Sequence, residues 1–176
     1  MGNLLRWLTD TLGDAGPAAS TRLAEVVRLA LPEADEETQR LVIAVAGLLA
    51  TIAYADRDYA PAEEARIVQE LSRIRGLGER GVEAIRKVLR EHIVTIATVE
   101  APIYARELRE LGDHEFRREV LDALVDIAAA DDEITMAETN ALRTTATALG
   151  LSQSDYNASQ ARHRDKLRIL SRNSRA

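Results

Sequence analysis

Two stretches of this chain place carboxylates at matching intervals. The first, "YADRDYAPAEE" at residues 54–64, carries Asp56, Asp58 and Glu63; the second, "AADDEITMAETN" at 129–140, carries Asp131, Glu133 and Glu138. Both follow a long apolar helical run and precede another helix. A helix C-terminus carries partial negative charge, so an acid placed there needs a cause. Carboxylates and carbonyl oxygens on a tight interhelical turn suit a hard divalent cation, Ca²⁺ or Mg²⁺, which would also remove the repulsion. An EF-hand loop does not fit. Counted from Asp56, its fifth, sixth and twelfth positions are Ala60, Pro61 and Ile67; counted from Asp131 they are Thr135, Met136 and Leu142. A cation site here must be shorter than that loop or combine both turns.

The same residues also read as helix starts. Thr135 and Glu138 have the spacing of a capping box, in which the hydroxyl and the carboxylate each take a backbone N–H. In the first stretch Pro61 suits the first helical position and Glu63 the third. Ala60 replaces the capping hydroxyl there, which weakens that cap by ~1 kcal/mol. Asp56 and Asp131 are then explained by an Asx-turn onto the next N–H groups, or by an arginine such as Arg57.

Helices must position these turns. Apolar residues recur at intervals of three and four, as in Leu41, Val45, Leu48, Leu49, Ile52; Val82, Ile85, Leu89, Ile93, Ile96; and Phe116, Val120, Leu124, Ile127, and no alternating pattern interrupts them. The chain is read as all-α. Helices are expected near 3–12, 18–31, 35–55, 61–75, 79–96, 99–111, 113–130, 136–149 and 153–170. A shift of 75 residues lays Leu41 on Phe116, Ile52 on Ile127, Asp56 on Asp131, Asp58 on Glu133 and Glu63 on Glu138. The expected architecture is therefore a pair of duplicated three-helix units in pseudo-twofold packing, joined by the helix near 99–111, with extra N-terminal helices. Residues 1–34 form the extension and 35–176 the duplicated domain.

Composition narrows the function. The 176 residues are 46% hydrophobic with 3% aromatic, enough for one core built of aliphatic side chains. A net charge of −6 argues against nucleic acid as the main partner. The absence of cysteine excludes disulfides, thiolate metal sites and cysteine nucleophiles, and fits a reducing cytoplasm. Arg6 and Asp10 break the N-terminal apolar stretch, so it does not read as a secretory signal. No run approaches the ~18 apolar residues of a membrane span.

"LLATIAYADRDYAPAEEARI" and "LVDIAAADDEITMAETNAL" resemble the A-D-G-x-[IV]-[ST]-x-x-E signature of the tellurite-resistance TerB family, over roughly residues 35–170. The resemblance implies an all-helical duplicated domain. It also implies metal binding through Asp56, Asp58, Glu63, Asp131, Glu133 and Glu138, and stress-response complexes at the cytoplasmic face of a membrane. Two departures stand out. The motif glycine is Arg57 in the first copy and Asp132 in the second, and the first copy lacks the Ser/Thr cap.

Other candidates carry less. His92, His114 and His163 are far apart and have no metal-ligand spacing. "GLGERG" at 76–81 lacks the strand that precedes a phosphate loop. Residues 162–176 carry six Lys/Arg and one Asp. They read as a solvated basic helix complementing an acidic body, or as a patch for anionic lipid or an acidic partner. Leu4, Leu5, Trp7, Leu8 and Leu12 form a small amphipathic helix that docks on the body or meets a membrane or partner. No residues nominate themselves as a catalytic set. The expected function is a non-enzymatic cytoplasmic module in a stress or metal-resistance system, binding a divalent cation or protein partners at the acidic turns. The alternative is a protein-binding scaffold whose acidic turns are only caps.

Overall fold

The computed structural model describes residues 19–130 and 133–166. The helix expected at 3–12, the aspartates at 131 and 132, and the chain beyond 166 lie outside these residues. The described helices are α1 (Ala19–Ala30), α2 (Glu36–Ala53), α3 (Pro61–Ser72), α4 (Gly78–Thr95), α5 (Ala101–Leu111), α6 (His114–Ala128), α7 (Met136–Ala148) and α8 (Gln153–Gln160). A π-helical turn, Ile96–Glu100, joins α4 to α5, and a 3₁₀ turn, Ala161–Lys166, follows α8. No strand occurs among the described residues, and the fold is all-α as expected.

Helix ends follow the local chemistry. Asp35 caps α2 by accepting the Thr38 N–H at 2.7 Å, and Asp113 caps α6 by accepting the Phe116 N–H at 2.8 Å. The end of α7 is a Schellman turn, with Gly150 at φ 70°. The Leu151 N–H reaches the Ala146 carbonyl and the Gly150 N–H the Thr147 carbonyl, both at 3.0 Å. Ser152 then caps α8, and its hydroxyl and N–H both contact the Asp155 carboxylate.

Two boundaries differ from expectation. The sequence predicts a break between 96 and 99, but no loop intervenes there: the chain kinks at His92 (φ −122°, ψ 16°) and then runs through the π turn into α5. Pro102, at the start of α5, has no N–H to donate and would collide with the carbonyl four residues back in a regular helix. Widening the preceding turn into a π turn makes room for it. The last helix is also shorter than 153–170. Regular geometry stops at Gln160, and His163 has left it, at φ −123° and ψ 33°.

The core is organised around α2. This helix is apolar on nearly every side, and Leu48, Leu49, Ile52 and four alanines along it are buried. It touches α1, α3, α4, α5, α6 and α7. Its small residues let α5 approach closely, since a Cβ on Gly47 would collide with the Tyr104 ring. One turn before Tyr104, Glu100 is fully buried. Its Oε2 accepts the Tyr104 hydroxyl at 2.6 Å and its Oε1 accepts the Ser20 N–H, at the start of α1, at 3.0 Å. Burial, and then the Glu100 charge, push the Tyr104 phenol well above its ordinary range. On the next turn Glu107 receives Arg40 from α2 at 2.7 Å. Leu23 and Val27 of α1 have no exposed surface, so this helix shares the same core as the rest. No described helix is long and apolar enough to cross a membrane.

Two expectations follow. Gly47→Ala drives a methyl into the Tyr104 ring and should lower stability by ~1–3 kcal/mol, read as a fall in the urea midpoint. Tyr104→Phe leaves the buried Glu100 one donor short and should cost a similar ~1–3 kcal/mol. A further expectation concerns pH. The Ser152 hydroxyl and N–H hold the Asp155 carboxylate below its usual range. A depressed folded value means that this contribution is complete above the unfolded value of ~3.9 and is lost as pH falls through the folded one. NMR titration of Asp155 should show the depression in the native protein and a smaller one in Ser152→Ala, which keeps the N–H but loses the hydroxyl.

Two acidic turns and two clefts as candidate functional site

The first acidic turn explains its own aspartate. Helix α2 ends at Ala53, and the Ala55 and Arg57 N–H groups bond back to Ile52 and Tyr54 at 3.0 and 3.1 Å. Asp56 lies beyond that end, exposed, and its Oδ1 accepts the Asp58 N–H at 2.9 Å. This is an Asx-turn. Arg57, between the two aspartates, takes φ 72°, the left-handed conformation that favours glycine. The chain then enters α3 through Ala60 and Pro61. Glu63 is buried at 5% exposure, and its Oε2 accepts the Ala60 N–H at 2.9 Å. Glu64, next along, is held by Arg86 and Arg90 of α4 at 3.0 and 2.8 Å. Tyr59 tucks its hydroxyl inward without a hydrogen-bond partner. Burial raises its ionisation well above the ordinary phenol, with the Glu64 charge adding to it.

The second turn starts α7 in the same way but with a complete cap. The Thr135 hydroxyl accepts the Glu138 N–H at 3.2 Å, and Glu138 Oε2 accepts the Thr135 N–H at 2.6 Å. Glu138 is as buried as Glu63, at 3% exposure. Glu133 is exposed, and Ile134 is fully buried between it and the cap. Asp131 lies outside the described residues. Helices α2 and α6 end at residues 53 and 128, and α3 and α7 begin at 61 and 136. The same offset thus relates both edges of the two turns.

Each turn borders a cleft. One, of about 310 Å³, lies between α3 and the end of α6 and is lined by Ala62, Arg66, Asp126, Ala129, Ala130 and His163. The other, of about 510 Å³, lies between the end of α2 and α7, and Thr51, Tyr54, Ala55 and Ala141 line it. The π turn and the end of α4 close its far side with Val94, Ala97 and Thr98, and Arg57 stands at its rim. The two linings correspond at the same offset, with one change of character. Arg66 and Asp126 stand where the larger cleft has Ala141 and Thr51. In the smaller cleft Asp126 is fully engaged, by Arg66 on Oδ2 at 2.7 Å and by His163 Nε2 on Oδ1 at 2.8 Å. Arg162 and Ser159 hold Asp122 one turn earlier. These contacts fix the 3₁₀ turn against α6.

Sequence spacing offers no route to this cluster. Arg66 and Asp126 belong to different helices far apart in the chain, and His163 reads in the sequence as a lone histidine. Its neighbour Arg162 counted only as part of a basic run. The lining of the smaller cleft supplies an imidazole and a carboxylate but no hydroxyl, thiol or amine.

Three of the described acids already hold backbone N–H partners. Asp56 is engaged in its Asx-turn, and Glu63 and Glu138 are engaged in their caps. Among the described residues no group of three or more acids or histidines is placed to hold an ion. Two substitutions test the turn geometry. A left-handed L-residue costs roughly 1–2 kcal/mol, of which glycine's larger unfolded-state entropy returns about half. Arg57→Gly should therefore raise stability by ~0.5–1 kcal/mol. Ala60→Ser, which supplies the missing capping hydroxyl, should raise it by ~1 kcal/mol. Chemical denaturation of both variants checks the pair.

No curated protein and no solved structure matches the chain. The sequence model of the family described as tellurite resistance protein TerB matches residues 42–161. That match spans well over half of the chain and contains both acidic turns, so the protein belongs to the TerB family.

Proposed function

We propose that this protein is a non-enzymatic member of a tellurite- or metal-resistance stress response, acting in the cytoplasm by binding other proteins. The observation that carries the reading is the use made of the acids. Glu63 and Glu138 are buried and close helix starts, while Asp56, Asp58 and Glu133 face solvent beside the clefts. Such turns present negative charge to solvent, as a contact surface for a basic partner would. The offset shared by the turn edges and the cleft linings supports two repeated three-helix units about a pseudo-twofold axis. Residues 1–34 would then be an extension packed onto that body.

The second reading is a divalent cation, Ca²⁺ or Mg²⁺, held by Asp56, Asp58 and Glu63 and by Asp131, Glu133 and Glu138. The recurrence of the TerB signature at both turns favours it. Thermal unfolding separates the two. The protein is stripped with EDTA and melted alone and with each of Ca²⁺, Mg²⁺, Mn²⁺ and Zn²⁺, as wild type and as Asp56→Asn/Asp131→Asn. The protein-binding reading expects no change with any cation. A ligand at ~100 times its Kd adds about 2.7 kcal/mol. A rise of that order with one cation, absent from the double variant, would replace the first reading with the second.

A further inference from the structure

The larger cleft is apolar, open and rimmed by uncovered aliphatic surface. Val94 of its lining is 54% exposed, and Val99 of the same π turn as Ala97 and Thr98 is 53% exposed. Among its described lining residues only Arg57 is charged. Exposed apolar surface at a cleft marks a binding face, and the path of the chain points to what covers this one.

Helix α1 begins at the π turn whose other residues wall the cleft. The Ser20 N–H is bonded to Glu100, and Glu100 belongs to the same π turn as Ala97 and Thr98, which form the cleft wall. The chain that precedes α1 therefore starts out from that π turn. Residues 13–18 read "GDAGPA", a connection that spans at most ~20 Å when extended. The segment before it, 3–12, would be ~15 Å long as a helix. It carries Leu5, Leu8 and Leu12 at spacings of three and four, with Leu4 and Trp7 alongside. Asp10 is the one acid between residues 3 and 12, and it offers a counter-charge to Arg57 at the rim.

We propose that the cleft between the end of α2, α7 and the π turn is the seat of the chain's own N-terminal amphipathic segment, residues 3–12. Tethering makes the contact intramolecular, with an effective concentration of order millimolar for a short flexible linker. A modest apolar contact then suffices to keep the seat filled. The occupant covers Val94 and packs beside Arg57. The first acidic turn and the N-terminus thus become parts of one surface.

Trp7 is the only tryptophan and reports directly on the seat. The experiment measures its emission and its quenching by acrylamide in the full chain across a wide range of protein concentration. Expected is a blue-shifted, poorly quenched emission that does not vary with concentration. In Val94→Asp and in Ala97→Glu the emission should move to the red and quenching should rise severalfold. Far-UV circular dichroism checks that each variant is folded. Leu29→Asp, at an exposed position on α1, should leave the signal unchanged. Quenching in the wild type equal to that of N-acetyltryptophanamide would overturn the proposal. So would protection that survives both cleft variants, or that appears only as concentration rises, which would seat a second copy there. Protection that appears only with phosphatidylserine vesicles would overturn it in favour of a lipid surface.

Discussion

A carboxylate with no exposed surface joins three parts of this fold. Glu100 accepts one hydrogen bond from the start of α1 and one from Tyr104 of α5, and it stands on the turn that carries α4 into α5. A buried charge is tolerated only when its acceptor sites are filled. The docking of α1 and the position of the Tyr104 ring are therefore tied to a single side chain. The ring in turn requires Gly47 on α2, the helix that touches nearly every other. The central packing is set by this chain of dependence, with Leu, Ile and Val filling the space it defines.

The acidic turns are attached to that core and do not build it. Their logic is local: an Asx-turn, a left-handed residue, and a glutamate reaching back to the N-cap. This is why they were legible in the sequence. Glu63, Glu138, Thr135 and Pro61 take the positions their residue types and spacing implied, because capping chemistry acts within four residues. The all-α class was equally plain, since helical periodicity repeats along most of the chain. Asp56 was the open case, and its bond to the Asp58 N–H removes the conflict with the helix end, because α2 stops before reaching it.

The features that escaped sequence reading all depend on tertiary contact. Nothing in the spacing brings Arg66 to Asp126 or His163 to either. The π turn was missed for a related reason. Apolar periodicity continues smoothly up to Ile96 and implies a break before 99, where the chain instead passes through the π turn ahead of Pro102. The left-handed Arg57 occupies the position of the signature's glycine, and only the backbone angle shows that this turn takes a conformation that glycine favours.

The π turn has one more consequence, which concerns phase. An α-helix advances about 100° per residue, and a π turn inserts one residue into that count. Everything after Glu100 is therefore rotated by roughly a quarter turn relative to a regular continuation of α4. This rotation aims Tyr104 at Gly47 and, one turn on, Glu107 at Arg40. A chain with the same side chains but one residue fewer in that turn would present the wrong face of α5 to α2. The insertion works as a gear tooth: it sets which side of one helix meshes with the centre of the protein, and it does so without a loop that could slip.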